Sequence, residues 1–398
     1  MNIAATPAPR TTGINPVIAQ RVADFVALRH EFHANPELAF REKVTSLRIA
    51  DLLSRWGYRV DRLAGTGVIA TLENGAGPAL GIRADIDALP ITEATGQSFA
   101  SRVPGVMHAC GHDGHSAILL AAAEHLARHR NFTGTLRLIF QPAEEIGAGA
   151  RALIGEGLFE RFPVDAIYGL HNWPGLAAGR FAFVEGPAMA AIDKVDVRVR
   201  GKGGHGAEPH LAIDPVVATA HAITALQTVV SRNIDPREMA VVTVGSIHGG
   251  EASNVIPGEV DLKLTLRSYA PEVRKQLRER IPALIRGVVS GFGAEAQVDY
   301  QEGFPSVINA VNETRAIRAI AGRVLGEDAI ARDFRPRTAS EDFAFYLHQR
   351  PGSFLFVGNG DSAALHSPEY RFNDDIIAPA ATLWVALAES FLARRDAP

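Results

Sequence analysis

Apolar positions recur at helical spacing through the first part of the chain and predict a helix over Pro16–His33. A second helix is predicted over Glu42–Trp56, stopped by Gly57. Short apolar runs then predict strands at Val68–Leu72, Ala79–Ile82, Thr135–Phe140 and Ala166–Leu170, with a helix over Ser116–Arg128 before the third. Strands separated by helices imply an α/β domain, a mainly parallel sheet with helices on both faces. Ligands gather at the carboxyl ends of such strands. The polar clusters of this half fall there: Arg83-Ala-Asp85-Ile-Asp87, Gln141-Pro-Ala-Glu144-Glu145 and His171-Asn-Trp-Pro.

Near Ile192 the pattern changes. Lys194–Arg200 alternates apolar and charged residues, as a strand with one solvated face does. Asp214 is a good N-cap and Pro215 a good first residue for a helix whose apolar positions are Val216, Val217, Ala220, Ile223, Leu226 and Val230. Alternating strands follow at Met239–Ile247 and Glu259–Ser268. A helix over Pro271–Ser290 comes next, which Pro282 should kink or restart, and a strand over Ala296–Tyr300 closes the run. The order β-α-β-β-α-β describes a ferredoxin-like α+β unit. After Phe304 the α/β texture returns through Asn312–Leu325, Ser340–Gln349, Ser353–Val357 and a closing helix from Pro379. The expected organisation is one α/β domain in two parts, 14–191 and 306–398, interrupted by an inserted domain over 192–305.

A chain of 398 residues exceeds one ordinary domain, and 47% hydrophobic content supports sizeable cores. The net charge of −4 gives no push towards nucleic acid or anionic membrane. A single cysteine excludes an internal disulfide framework and suits a reducing compartment. The first thirteen residues read as a tail without signal-peptide character, and no apolar run approaches the roughly 20 residues of a membrane span. The expectation is a cytoplasmic protein with no nucleic-acid or membrane partner.

The densest chemistry lies in Met107-His-Ala-Cys110-Gly-His112-Asp-Gly-His115, which holds the only cysteine and three of fourteen histidines. A thiolate and an imidazole two residues apart suit a divalent metal, and Gly111 and Gly114 would let the loop turn to aim them. The bland reading is a buried cysteine with surface histidines. Glu144 and Glu145, adjacent carboxylates at a strand end, repel unless a cation lies between them or one is protonated. Alone the pair reads as a solvated turn, but it follows an apolar strand and Pro142. In a metallohydrolase one would ligate metal and the other take a proton from water. His171 and His366 carry little weight singly. With Cys110, His112 and Glu145 they make five donors, enough for two metals if one ligand bridges. Gly201-Lys-Gly-Gly-His-Gly206 matches the dinucleotide fingerprint, but two prolines and no immediate helix follow it. A loop presenting His205 is the better reading.

Together these motifs resemble the M20 family of metallo-amidohydrolases and peptidases, in the branch with hippurate hydrolases, bacterial N-acyl-amino-acid amidohydrolases and plant auxin-conjugate hydrolases. The matching runs are 83–90, 107–115, 141–145, 169–171, 201–207, 253–257, 340–343 and 365–368, in order along the chain.

The resemblance implies two divalent metal ions per subunit, zinc, manganese, cobalt or nickel, held by Cys110, His112, Glu145, His171 and His366. Cys110 stands where other branches carry a bridging aspartate. Asp85 stands where they carry a histidine ligand, and support from behind the ligands is its expected role. Asp87 would orient a ligand, and Glu144 would be the general base. The inserted domain would be a lid and dimerisation domain, forming a homodimer or homotetramer. From it His205 would steady the oxyanion in the partner's site, while Asn254 and Arg267 hold the substrate's carboxylate. The implied reaction is metal-dependent hydrolysis of N-acyl or N-aroyl amino acids. A dipeptidase on the same site is the near alternative. A non-catalytic metal-binding scaffold is the alternative of another class, opposed by retention of Glu144 with the whole ligand set. A nicotinamide-dependent dehydrogenase fails on the context of Gly201–Gly206.

Overall fold

The computed structural model describes residues 13–393, so all but the last residue of the N-terminal run read as a tail lies outside the described residues. The chain divides into two compact units: residues 13–186, 308–335 and 342–393 form one, and Pro187–Val307 with Pro336–Glu341 the other. In chain order the elements are α1 (Pro16–Ala34), α2 (Lys43–Arg55), β1 (Arg59–Leu63), β2 (Gly67–Asn74), β3 (Ala79–Asp85), α3 (His112–His129), β4 (Gly134–Gln141), α4 (Gly149–Gly155), α5 (Leu158–Arg161), β5 (Ala166–Pro174) and β6 (Phe181–Ala182). Then come β7 (Gly186–Met189), β8 (Ala191–Arg200), β9 (Gly204–His205), α6 (Pro215–Thr228), β10 (Ala240–His248), β11 (Val255–Ile256), β12 (Glu259–Ser268), α7 (Pro271–Gly291) and β13 (Glu295–Glu302). The chain closes with β14 (Val307–Asn309), α8 (Val311–Leu325), α9 (Ala344–Leu347), β15 (Gly352–Gly360) and α10 (Ile377–Phe391). Among the described residues, no helix is long and apolar enough to cross a membrane.

The first unit is built on a seven-stranded sheet in the order β1-β2-β4-β3-β5-β15-β6. The expected parallel character holds only at its centre. β3 pairs parallel with β4 and β5, and β15 parallel with β5, while β1–β2, β2–β4 and β15–β6 are antiparallel. The sheet is therefore mixed. The sequence pattern missed β1 because Arg59–Leu63 is a polar edge strand, and β1 reaches β2 by a tight turn rather than a helix. Gly65 in that turn takes φ +75°. One sheet face presents Val68, Ala70, Leu80, Ile82, Leu136, Leu138 and Leu355 to a core shared with α1, α3 and α10. The opposite-parity residues Ile69, Ile139, Ile167 and Phe354 are buried as well, with the ring of Phe343 beside α9 tilted against that of Phe354. Side chains on both faces are thus out of water, as in a covered α/β sheet.

Helix α3 starts earlier than the apolar pattern suggests. Gly111, at φ +97°, is its N-cap, so His112, Asp113 and His115 lie in its first turn rather than on a loop. Gly114 does not serve a turn either. It lies inside the helix, where a methyl would overlap the ring of Phe372, so its role is close packing. Residues 112–126 are all buried, which fixes these side chains on a rigid element. Over Ser340–Gln349 only Ala344–Leu347 is helical. The Asp342 side chain, just before it, is engaged elsewhere.

The second unit is a four-stranded antiparallel sheet in the order β10-β12-β8-β13, with α6 and α7 packed on it. Burial alternates residue by residue along β8 and β12, so one face is solvated. Asp214 caps α6 through the amides of Val216 and Val217. The buried face of α6, however, is Pro215, Ala218, Thr219, Ala222 and Leu226. Val216 and Val217 of the expected stripe are exposed, because the helix presents the neighbouring small residues to the sheet. α7 runs unbroken through Pro282. An interior proline costs about 3 kcal/mol. The buried stripe Val273, Leu277, Ile281, Ile285 and Val289 outweighs it at roughly 1.5–3 kcal/mol for each fully buried side chain.

Candidate metal centre

The side chains that carry chemistry meet at the carboxyl ends of β3, β4 and β5. β3 ends in Asp85, and Asp87 follows two residues on. The chain after β4 carries Glu144 and Glu145. His171 lies within β5, paired with Phe356 of β15, rather than after the strand. His112 arrives on the first turn of α3, with Cys110 just before it. His366 comes from the loop after β15 with φ +65°, a strained conformation for a non-glycine residue, and its amide donates to the Ala109 carbonyl at 2.8 Å.

Cys110 Sγ is 3.3 Å from His171 Nε2, His112 Nε2 is 3.8 Å from Glu145 Oε1, and His366 Nε2 is 3.3 Å from Glu145 Oε2. Among the groups of three whose ligand atoms lie within 4.8 Å of one another are Cys110, His112, His171 and Cys110, Glu145, His366. They share Cys110. Another such group joins Glu144 to His112 and Glu145, and another joins Asp85 to His112 and His115.

The ring orientations are set from behind. His112 Nδ1 donates towards the Asp87 carbonyl at 2.9 Å and Oδ1 at 3.2 Å, and His171 Nδ1 donates to the Asn172 carbonyl at 2.6 Å. Both Nε2 atoms are therefore left facing the cluster. Asp87 also accepts the Glu145 amide at 3.0 Å, so one carboxylate orients two of the candidate ligands. Asp85 accepts from His115 Nδ1 at 2.6 Å and Arg83 at 2.7 Å and lies 3.7 Å from His112 Nε2.

Charges are crowded here. Burial and the Glu145, Glu144 and Asp85 carboxylates push the Cys110 thiol well above its ordinary value. Burial also lifts Glu145, to about 7. Burial would lower His112, but Asp85, Asp87 and Glu145 outweigh it and raise it to about 10. Burial, with His115 nearby, drives His171 well down. His112 Nε2 and Glu145 Oε1 are buried with no hydrogen-bond partner among the described residues. Unpartnered polar atoms beside a thiol and several carboxylates fit a divalent cation, which would replace the proton on His112 Nε2, engage Glu145 and favour the thiolate.

The remaining sequence-derived candidates lie in the second unit. His205 on β9 pairs with Val255 of β11, and the Gly206 amide donates to the Asn254 carbonyl at 2.7 Å, so the 201–207 and 253–257 motifs meet in space. His205 is exposed, and its Nδ1 accepts the Ala207 amide at 3.1 Å, which leaves Nε2–H as a free-standing donor. Arg267, near the end of β12, donates to the Thr338 carbonyl at 3.2 Å and to Thr265 Oγ1 at 2.8 Å.

Sequence reasoning gave no role to His115, Gln141 or Asp342, and none to Arg83 beyond its motif, yet all four are buried within the supporting network. The signal available was a charged residue inside an apolar strand, Arg83, which a core accepts only when paired.

A family model described as peptidase family M20/M25/M40 matches residues 81–390. The chain is 38% identical over 379 residues to a hippurate hydrolase of Campylobacter jejuni, covering 95% of this chain and 99% of that one. It is 40% identical over 370 residues to an N-acetyl-L-cysteine deacetylase of Bacillus subtilis, covering 92% and 88%. Among solved structures, the YXEP protein of Bacillus subtilis, described as a dinuclear metal binding peptidase, matches with a TM-score of 0.83 at 33% identity, covering 95% of this chain and 99% of that one.

Proposed function

Because the chain belongs to peptidase family M20/M25/M40, we propose that it hydrolyses the amide bond of N-acyl or N-aroyl amino acids, releasing a carboxylic acid and the free amino acid. The observation that carries this reading is the pair of donor triplets sharing Cys110, with the Glu144 carboxylate beside them. Cys110, His112 and His171 would hold one divalent ion and Cys110, Glu145 and His366 the other. Thiolate and imidazole donors favour zinc, and manganese, cobalt and nickel also suit the set. When bound, the metals lower the pKa of a water and polarise the amide carbonyl. Glu144 takes the proton of the attacking water and delivers it to the leaving amine. Asp87 keeps His112 and Glu145 aimed.

The second unit, ferredoxin-like in its strand order, acts in this proposal as lid and dimerisation domain. His205 Nε2–H then donates to the developing oxyanion in the partner's site, while Asn254 and Arg267 hold the substrate carboxylate. The exposed Val216 and Val217 on α6 and the unpaired edge of β10 support self-association into a homodimer or homotetramer. A buried free thiol among the ligands suits the cytoplasm.

The test is a panel of hippurate, N-acetyl amino acids, auxin conjugates and dipeptides, assayed after exhaustive chelation and after reloading with each metal. Hydrolysis of acyl amino acids that is lost on chelation and restored by metal is expected. Full activity in rigorously metal-free protein overturns the proposal, and a preference for dipeptides selects the peptidase alternative.

A further inference from the structure

The segment carrying Glu144 and Glu145 leaves the sheet at Gln141 and joins α4 at Gly149. It contains a non-glycine residue in the left-handed region, Ala143 at φ +54°, and must be held from outside. Three amides along it donate to carboxylates from elsewhere in the chain. Glu42 accepts from Ala143 at 3.0 Å, Asp87 from Glu145 at 3.0 Å and Asp342 from Ala150 at 3.0 Å.

Asp342 differs from the other two. Its oxygens also accept from Gln141 Nε2 at 2.8 and 2.9 Å. One fully buried carboxylate therefore grips both feet of the segment, the last residue of β4 and the start of α4. The Gln141 amide is saturated in turn. Its oxygen accepts from Arg83 Nε at 2.8 Å and the Tyr346 hydroxyl at 2.9 Å, and its nitrogen also donates to the Pro142 carbonyl at 3.3 Å. Arg83 completes the arrangement by bonding Asp342 at 3.1 Å and Asp85 at 2.7 Å.

We propose that Asp342 is a positioning residue that clamps the two feet of the Glu144–Glu145 segment and so sets where both carboxylates stand. The assignment rests on the reading of Glu144 as base and Glu145 as ligand. It gives the Ser340-Glu-Asp-Phe343 run, which the proposed chemistry leaves without a task, a physical one. The effect on rate follows from geometry, since about 1 Å of misplacement in a catalytic constellation costs on the order of 100-fold.

Asp342→Asn keeps the shape but turns one acceptor into a donor that must face Gln141, Arg83 or Ala150. Gln141→Met is the companion variant, removing the grip at the other foot while leaving Asp342 in place. Hydrogen exchange of peptides spanning 142–150 is followed in metal-free protein, and kcat and KM are measured at saturating metal. Both variants should exchange this segment at least about tenfold faster with β3 and β5 unchanged, and kcat should fall about 10- to 100-fold with KM within about twofold. If Asp342→Asn does not fold, Gln141→Met decides. Unchanged exchange over 142–150, or faster exchange spread evenly over the sheet, overturns the clamp. The exchange measurement needs no assumption about catalysis. If Glu144→Gln were fully active, the functional reading would fail while the clamp was still read separately.

Discussion

Arg83 is the buried cation on which the site's supporting carboxylates depend. Its side chain has no exposed surface, nor have those of Asp85 and Asp342, and it bonds both of them together with Gln141. Arg83→Met fills most of the volume but leaves two carboxylates without their shared counter-charge. Removing one partner of a buried ion pair costs about 3–5 kcal/mol, against roughly 0–1 kcal/mol for an exposed pair. At roughly 2–4 °C per kcal/mol for a domain of this size, Tm should fall by about 6–20 °C. Scanning calorimetry in chelator is the assay, so that metal binding does not contribute. Burial would raise Asp85, but His112, Arg83 and His115 outweigh it and hold it well below the usual carboxylate range. In the variant a carboxyl should take up a proton more readily, so the deficit should shrink between pH 8 and pH 5. Arg83→Lys should fall between, because one ammonium cannot reach three acceptors in a plane. A fall below about 3 °C at pH 8 would refute the reasoning.

Other consequences follow from the same physics. Burial would lower His33, but Asp113 and Glu93 outweigh it and raise it to about 9. Against an unfolded value near 6.5, its contribution of up to about 3 kcal/mol is full below pH 6.5 and lost as pH rises through 9, so the Tm advantage of wild type over His33→Asn should vanish by about pH 10. An advantage that grows with pH contradicts this. Arg267→Ala should raise KM for N-acyl amino acids far more than for their amides or esters, and equal effects remove Arg267 from substrate binding. Verified mixed dimers of His205→Ala and Glu144→Ala chains should regain up to about half of wild-type activity, since one of two sites is whole. No recovery rejects a lid acting across subunits.

The parts of the fold legible in the sequence were those with a clean period. β12 coincides with its expected range because every second residue from Val260 to Ser268 is buried. β1 was not legible, since Arg59–Leu63 has one buried residue and no alternation. The mixed character of the sheet went with it, because pairing direction follows from connections that periodicity does not encode. The phase of α6 misled because apolar residues lie on both its faces, and burial favoured the smaller ones. At the candidate site, Cys110 and His112 were legible as a donor pair in a glycine-rich loop, Glu145 and His171 as donors after apolar strands and His366 as a loop histidine, and all five do come together. The support beneath them was not. Asp342 lies 201 residues from Gln141, and nothing in either local pattern announces that contact.

The most direct test of the account compares Glu144→Gln with Glu145→Gln, reading metal content and kcat for an N-acyl amino acid on the same preparations. Glutamine keeps the shape of each side chain and removes its charge and basicity. Glu144→Gln should retain metal and lose roughly 100- to 10,000-fold or more in kcat with little change in KM, because general base catalysis supplies about that much. Glu145→Gln should lose metal occupancy first. A Glu144→Gln protein that keeps its metal and its full kcat would contradict the central claim.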